Sequence, residues 1–268
     1  MRKPHPISSS ASEATAVGAP PSTLLMALEL RAPWELWSVL PCWPLLMRAH
    51  AGDGHPVIVF PGLSAGDGST LPLRAYLQNL GYDVSGWNQG TNFGPRAGIL
   101  ETAVRQLEDT AQASGESVSL IGWSLGGIYA RELAKLMPDL VRCVITMGTP
   151  FASTHTSTNA WRLYELTRGR SIDQEIGHFD LPTAPPVPTT SIFSRTDGVV
   201  AWKASVQAIN ADHPHTENIE VVASHLGLGM NPATWWAVAD RLAQSPSSWR
   251  PFQRTNALER VVYPNPAR

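Results

Sequence analysis

Six short apolar runs separated by stretches of helical spacing constrain this chain more than any other feature of it. They are VIVF (57–60), YDVSGW (82–87), SVSLIG (117–122), VRCVITMG (141–148), TTSIFS (189–194) and NIEVVA (218–223). The first is β-branched and bounded by Pro56 and Pro61, as a buried strand is. Behind it Ser69 or Thr70 can cap a helix, Leu73, Leu77 and Leu80 repeat at helical spacing, and Gly81 is a natural stop. Leu100, Val104, Leu107 and Ala111 mark the apolar face of a second helix that ends near Gly115. A third runs from Gly126 to Met137. Asn231 and Pro232 form an N-cap and first-turn pair for a last helix, which presents Trp235, Val238 and Leu242 on one face. Strands alternating with helices of this length predict an α/β fold, a mostly parallel central sheet flanked by helices on both faces.

The segments outside this rhythm divide the chain. Residues 1–22 are rich in Ser, Ala and Pro and read as a disordered tail. Residues 23–50 are more apolar, but Glu29, Arg31 and Glu35 and the prolines 33, 41 and 44 break them up, so two short amphipathic helices fit better than a membrane span. Trp34, Trp37 and Trp43 are expected to pack onto the domain; the alternative is peripheral contact with a lipid surface or a greasy entrance. The α/β domain occupies 51–243. Its stretch 151–188 is far longer than an ordinary loop and reads as an inserted cap or lid. Residues 244–268 are polar and Pro-rich and read as a poorly packed C-terminal tail. With no credible signal peptide and no span, a cytoplasmic location is expected.

Composition excludes several classes. The net charge is −2 with no basic stripe, which argues against a nucleic-acid partner. Cys42 and Cys143 form no metal-binding pattern and read as small buried thiols. No G-x-G-x-x-G or P-loop is present, so no cofactor is implied.

The chemistry concentrates at LIGWSLGG (120–127). Gly122 ends a strand and Gly126–Gly127 open a helix, which makes Ser124 the serine of a strand-turn-helix elbow, its Oγ lifted above the sheet. A side chain at Gly122 or Gly126 would collide with the neighbouring strand or helix. A serine hydroxyl needs a base, and the base an orienting acid. Asp197 follows the fifth strand, before Gly198, which is read as letting the loop bend. His225 follows the sixth strand and precedes the capped helix. His213 and His215 read as solvated, His155 and His178 fall in the insertion, and His55 precedes the first strand. An oxyanion would need backbone N–H donors; Leu125 after the serine and Leu63 after Gly62 are the expected pair.

Taken in order, VIVFPGLSAGD, LIGWSLGG, ITMGTPF, SRTDGVV and SHLGLG resemble the α/β-hydrolase superfamily, most closely its bacterial esterase and triacylglycerol-lipase branches. The resemblance covers about residues 55 to 243. It implies hydrolysis of a carboxylic ester of a small or lipid-like molecule through an acyl-enzyme, with Ser124, Asp197 and His225 as the triad and Leu63 and Leu125 as oxyanion donors. The chain departs from many lipases in having Pro61 before the oxyanion-loop glycine and Trp123 before the nucleophile. Trp123, Phe151, Trp161 and Tyr164 are the expected substrate contacts. Two alternatives stay open: acyl transfer or thioester or amide cleavage by the same triad, and ligand binding without catalysis on the same scaffold.

Overall fold

The structure is a computed structural model that describes residues 20–152 and 180–268. Six strands form one sheet: β1 (Pro56–Phe60), β2 (Asp83–Gly86), β3 (Val118–Trp123), β4 (Val141–Met147), β5 (Thr189–Phe193) and β6 (Thr216–Glu220). Their order across the sheet is β2-β1-β3-β4-β5-β6, and all neighbours are parallel. Parallel pairing puts every carboxyl end on one edge. Phe60 lies beside Gly122, Gly122 beside Thr146, Met147 beside Ile192 and Phe193 beside Glu220. The loops that leave these residues open onto the same face of the molecule.

Alternation of side chains along each strand builds two cores. Val57 and Val59 point to one side, where they meet Leu73, Tyr76, Leu77 and Leu80 of α3 (Asp67–Leu80) and Trp235, Val238 and Leu242 of α6 (Pro232–Leu242). Ile58 and Phe60 point to the other, against Ala103, Leu107 and Ala111 of α4 (Ile99–Ser114) and Ile128 and Leu133 of α5 (Leu125–Leu136). A strand with helices on both faces has no solvent side, so β1, β3 and β5 are buried at every residue.

The caps explain most helix ends. Gly81 and Gly115 close α3 and α4 in the left-handed conformation, at φ 103° and 71°. The Asn231 side chain accepts from the Ala233 N–H, with Pro232 in the first turn of α6. The start of α3 differs from expectation: the helix begins at Asp67, ahead of Ser69 and Thr70. The Asp67 carboxylate accepts from the Trp87 N–H (3.0 Å) and the Asn88 N–H (3.2 Å), which draws the first turn onto the end of β2. Strand β6 also begins two residues earlier than NIEVVA, because Thr189 of β5 pairs with Thr216.

The segments 23–50 and 244–268 pack differently from their reading, while most of the expected tail at 1–22 lies outside the described residues. α1 (Thr23–Ala27), a 3-10 turn (Leu28–Arg31) and α2 (Ala32–Leu46) follow one another without a break, and Pro41 and Pro44 lie inside α2. Tertiary contact offsets what the prolines cost: Val39 and Leu46 enter the core, and the Leu46 carbonyl accepts from the Tyr76 hydroxyl at 3.1 Å. Trp43 meets Tyr76 edge-on, as packing requires. Trp34 and Trp37, on the opposite face, are 74% and 65% exposed and do not pack onto the domain. The C-terminal residues are anchored as well. Tyr263 is 3% exposed, meets Phe252 edge-on and donates to the Ala233 carbonyl at 2.8 Å. Helix α7 (Ala257–Val262) starts in a reciprocal cap between Asn256 and Glu259. The expected cap at 151–188 falls largely on residues 153–179, outside the described residues.

Leu107 is fully buried between α4 and the sheet. Leu107→Ala is expected to lower the unfolding free energy by about 2–5 kcal/mol, seen as a lower denaturant midpoint at unchanged slope.

Candidate active site

Strand β3 and helix α5 are joined at a single residue, Ser124, held at φ 53° and ψ −123°. Its N–H donates to the Met147 carbonyl (2.8 Å), and its own carbonyl accepts from the Thr149 hydroxyl (2.8 Å). The turn is this sharp because α5 lies at backbone contact with the sheet. A Cβ on Gly126 would overlap the Phe60 carbonyl, and one on Gly122 would overlap Gly127. The expectation drawn from those two glycines therefore has its cause in close approach.

Asp197 sits on the loop after β5. Its Oδ1 accepts from the Val199 and Val200 N–H groups at 2.8 and 2.7 Å, which aims Oδ2 at His225 Nδ1, 2.7 Å away. His225 sits on the loop after β6, and its Nε2 lies 2.9 Å from Ser124 Oγ. The structure thus brings together the three side chains picked from sequence, in one hydrogen-bonded line at the carboxyl edge. All three are buried. With the Nδ1 proton on the carboxylate side, Nε2 is left as an acceptor for the hydroxyl. Burial pulls the imidazole pKa down, but the Asp197 charge, its hydrogen bond and the Glu29 charge push it up, and the balance lies above the usual histidine value.

The loop after β1 passes over the serine: a Cβ on Gly62 would stand 3.3 Å from Ser124 Cβ. The N–H groups of Leu63 and of Leu125, the first residue of α5, have no hydrogen-bond partner among the described residues. Beside them opens a cavity of about 320 Å³, lined by Met26, Gly62, Leu63, Ser64, Ala65, Trp123, Ser124, Val199, His225 and Leu226. Among the described residues, His225 is the only titratable one in this wall. Trp123 lines it as expected, and its indole N–H also donates to the His225 carbonyl at 3.1 Å.

The other expected contacts differ. Phe151 is fully buried with the Arg131 guanidinium 3.9 Å over its ring, and it does not line this cavity. It follows β4 too closely to leave the core. Trp161 and Tyr164 lie outside the described residues, as do His155 and His178. Gly198 does not have a positive φ. A Cβ there would overlap the Leu25 carbonyl, so the glycine serves close approach rather than a bend.

Two features escaped the sequence reading. The first is a second line of Asp, His and Ser. His55 Nδ1 contacts the Asp53 carboxylate, and its Nε2 lies 2.8 Å from Ser119 Oγ. It stands before the amino end of β1, with His55 and Ser119 fully buried, and burial holds the His55 pKa below its usual value. The second is Glu29, which in the sequence only interrupts an apolar stretch. Its carboxylate accepts from the His225 N–H at 2.8 Å. A carboxylate in the midst of an apolar segment was the available signal.

No family model matches the chain, and no curated protein matches its sequence. Solved structures do resemble it. Aspergillus fumigatus lipase B aligns over 74% of this chain at 19% identity and a TM-score of 0.53, but the match spans only 56% of the lipase. Paleococcus ferrophilus monoacylglycerol lipase aligns over 72% of this chain and 95% of its own, at 15% identity and a TM-score of 0.51. An alpha/beta superfamily hydrolase from Oenococcus oeni aligns over 74% and 94%, at 18% identity and 0.51. With the all-parallel sheet and its flanking helices, these likenesses identify the architecture: the chain has the α/β-hydrolase fold. Among the described residues no helix is long and apolar enough to cross a membrane.

The backbone of Ser124 is one that L side chains seldom adopt, at a cost of about 1–3 kcal/mol. Ser124→Gly and Ser124→Ala lose the same hydroxyl, but only glycine relaxes the turn. Thermal unfolding is expected to show the glycine variant as the more stable of the two.

Proposed function

We propose that this chain is a serine hydrolase that cleaves carboxylic esters through an acyl-enzyme. The observation that carries the reading is the unbroken Asp197–His225–Ser124 line, with distances of 2.7 and 2.9 Å, at the edge of a cavity. In this reading His225 Nε2 takes the proton of Ser124 as Oγ attacks the ester carbonyl. Asp197 holds the imidazole tautomer and stabilises the imidazolium. The N–H groups of Leu63 and Leu125 receive the oxyanion, the second aided by the positive end of α5. The C–O bond to the alcohol breaks and the alcohol leaves with the His225 proton. Water, deprotonated by His225, then attacks the acyl-enzyme and frees the acid.

The cavity wall limits the substrate. Among the described residues its side chains are mostly apolar and none is a Lys or Arg that could hold an acid or phosphate, which favours a neutral ester with an apolar acyl group. The N-terminal segment adds to this reading. Met26 lines the cavity, while Leu24, Leu30, Trp34, Trp37 and Leu40 of the same segment stand exposed. We assign that row to contact with a lipid aggregate presenting the ester. Replacing Trp34 and Trp37 together by Ala is expected to lower the rate on an emulsified ester well below the rate on a soluble one; equal losses on both would remove this role.

The test of the main reading is a series of nitrophenyl esters of increasing chain length, with product analysis in the presence of a competing alcohol. Ser124→Ala should lower kcat on the order of 10⁴-fold or more, and a fluorophosphonate should label Ser124. The base works only when neutral, so kcat/KM should rise with pH through a midpoint above the ordinary imidazole value of about 6.5, as the raised His225 pKa requires. A folded chain that takes no label at Ser124 would favour the ligand-binding alternative. Transfer to the alcohol in place of water would favour the acyltransferase.

A further inference from the structure

Among the described residues no strand precedes β1, yet the segment before it reaches the site through three charged side chains. Glu29, 7% exposed in the 3-10 turn, accepts the Gly198 N–H and the His225 N–H on Oε1, both at 2.8 Å, and the Leu226 N–H on Oε2 at 2.9 Å. Gly198 is the residue after Asp197. One carboxylate therefore bridges the backbone of the acid loop to that of the base loop. Arg31 donates from Nη2 to the carbonyl and hydroxyl of Thr196, at 3.0 and 2.7 Å. Glu35 accepts the Ser224 N–H at 2.8 Å and pairs with Arg31 at 2.9 Å. The contact surfaces are fitted to this arrangement. A Cβ on Gly198 would overlap the Leu25 carbonyl, and one on Gly227 would overlap the Glu35 carboxylate.

We propose that Glu29 is a positioning residue for the ester-cleaving site, holding the Asp197 and His225 loops at the separation that their hydrogen bond needs. This rests on the serine-hydrolase reading for its kinetic readout, but not for its structural one. Glu29 does not line the cavity, so it acts through the loops and not on the substrate. The two loops are tied at their starts, where the Val221 N–H donates to the Phe193 carbonyl and Ser194 Oγ bonds both backbone groups of Ala223. The shared Glu29 carboxylate adds the tie farther out, at His225 itself and at Gly198 beside Asp197. Only a carboxylate suits the place, since both of its oxygens face N–H donors; the amide of a glutamine would turn one donor against another.

The negative charge has a second effect. The imidazole of His225 is faced by Asp197 from the loop after β5, by Glu29 from the 3-10 turn and by the Ser124 hydroxyl from the elbow. Glu35 and Arg31 are paired with each other beyond them. Asp197 and Glu29 both raise the His225 pKa. Removing the charge of Glu29 must therefore lower it.

The experiment compares the full-length chain with Glu29→Gln, Glu29→Asp and Glu35→Gln. Glu29→Gln is expected to lower kcat by about 10- to 100-fold, the scale of a small misplacement of catalytic groups, with KM within about twofold. Its acid limb should move to lower pH. Glu29→Asp keeps the charge and should keep the limb while restoring part of kcat. Glu35→Gln removes a bond of the same clasp and should lower the melting temperature without moving the limb. The His225 pKa is also read by NMR titration of the imidazole on the Ser124→Ala background, where no turnover is needed. A folded Glu29→Gln with wild-type kcat and pKa overturns the proposal. So does a loss of kcat matched by Glu35→Gln with the limb unmoved, which is what a merely structural bond would give. Should the wild type and Ser124→Ala be equally inert on esters, the hydrolase reading falls, and the NMR titration alone decides for or against Glu29. Should Glu29→Gln fail to fold, Glu29→Asp decides: wild-type kcat despite its shorter reach overturns the proposal, and reduced kcat at an unmoved limb supports it.

Discussion

The contact between α5 and the end of β1, at Gly126 and the Phe60 carbonyl, is the constraint on which the rest of the site depends. It leaves no room for a gradual turn between β3 and the helix, so one residue must reverse the chain in a conformation that only glycine adopts freely. That residue is Ser124. The same contact points the first N–H groups of α5 at the carboxyl edge, where the loop from β1 also arrives. A parallel sheet then delivers the loops after β5 and β6 to the same edge. The strain at Ser124 follows from that contact, and the convergence of the four loops from the parallel sheet.

The two lines of Asp, His and Ser in this molecule show what the edge contributes beyond hydrogen bonding. Asp53, His55 and Ser119 are joined as closely as Asp197, His225 and Ser124. Ser119 is the second residue of β3, beside a shift in register and without a positive φ, and its hydroxyl also accepts from the Cys143 thiol at 3.4 Å. No lining residue of the cavity beside Ser124 comes from that group. The environments also push the two imidazoles in opposite directions: burial prevails at His55 and lowers its pKa, while the carboxylates prevail at His225 and raise it. The two lines differ in where the serine opens and in which charges surround the imidazole, not in their hydrogen bonds alone.

The N-terminal segment has two faces with separate tasks. One face meets the domain through Val39, Trp43 and Leu46 and through the charged contacts of Glu29, Arg31 and Glu35. The other leaves Leu30, Trp34, Trp37 and Leu40 in water. Burying a carboxylate such as Glu29 is costly unless donors meet it, and three backbone N–H groups do. Those donors belong to the loops that carry Asp197 and His225. Each side therefore satisfies the other, which ties the presence of the segment to the shape of the site.

The sequence by itself determined the strand-helix alternation, the parallel sheet, the turn at Ser124, and the placing of Asp197 and His225 on the loops after the fifth and sixth strands. These are written locally, in apolar periodicity, in glycines that permit close approach, and in chain order relative to strands. It did not reveal that Pro41 and Pro44 sit inside a helix, that Tyr263 anchors the C-terminal residues, that Phe151 stays in the core, or that Glu29 reaches His225. Those outcomes join residues far apart in the chain, Glu29 and His225 being 196 positions from one another. Only the tertiary structure decided them, because the free energy of a buried charge or of an aromatic anchor depends on partners that the local sequence does not contain.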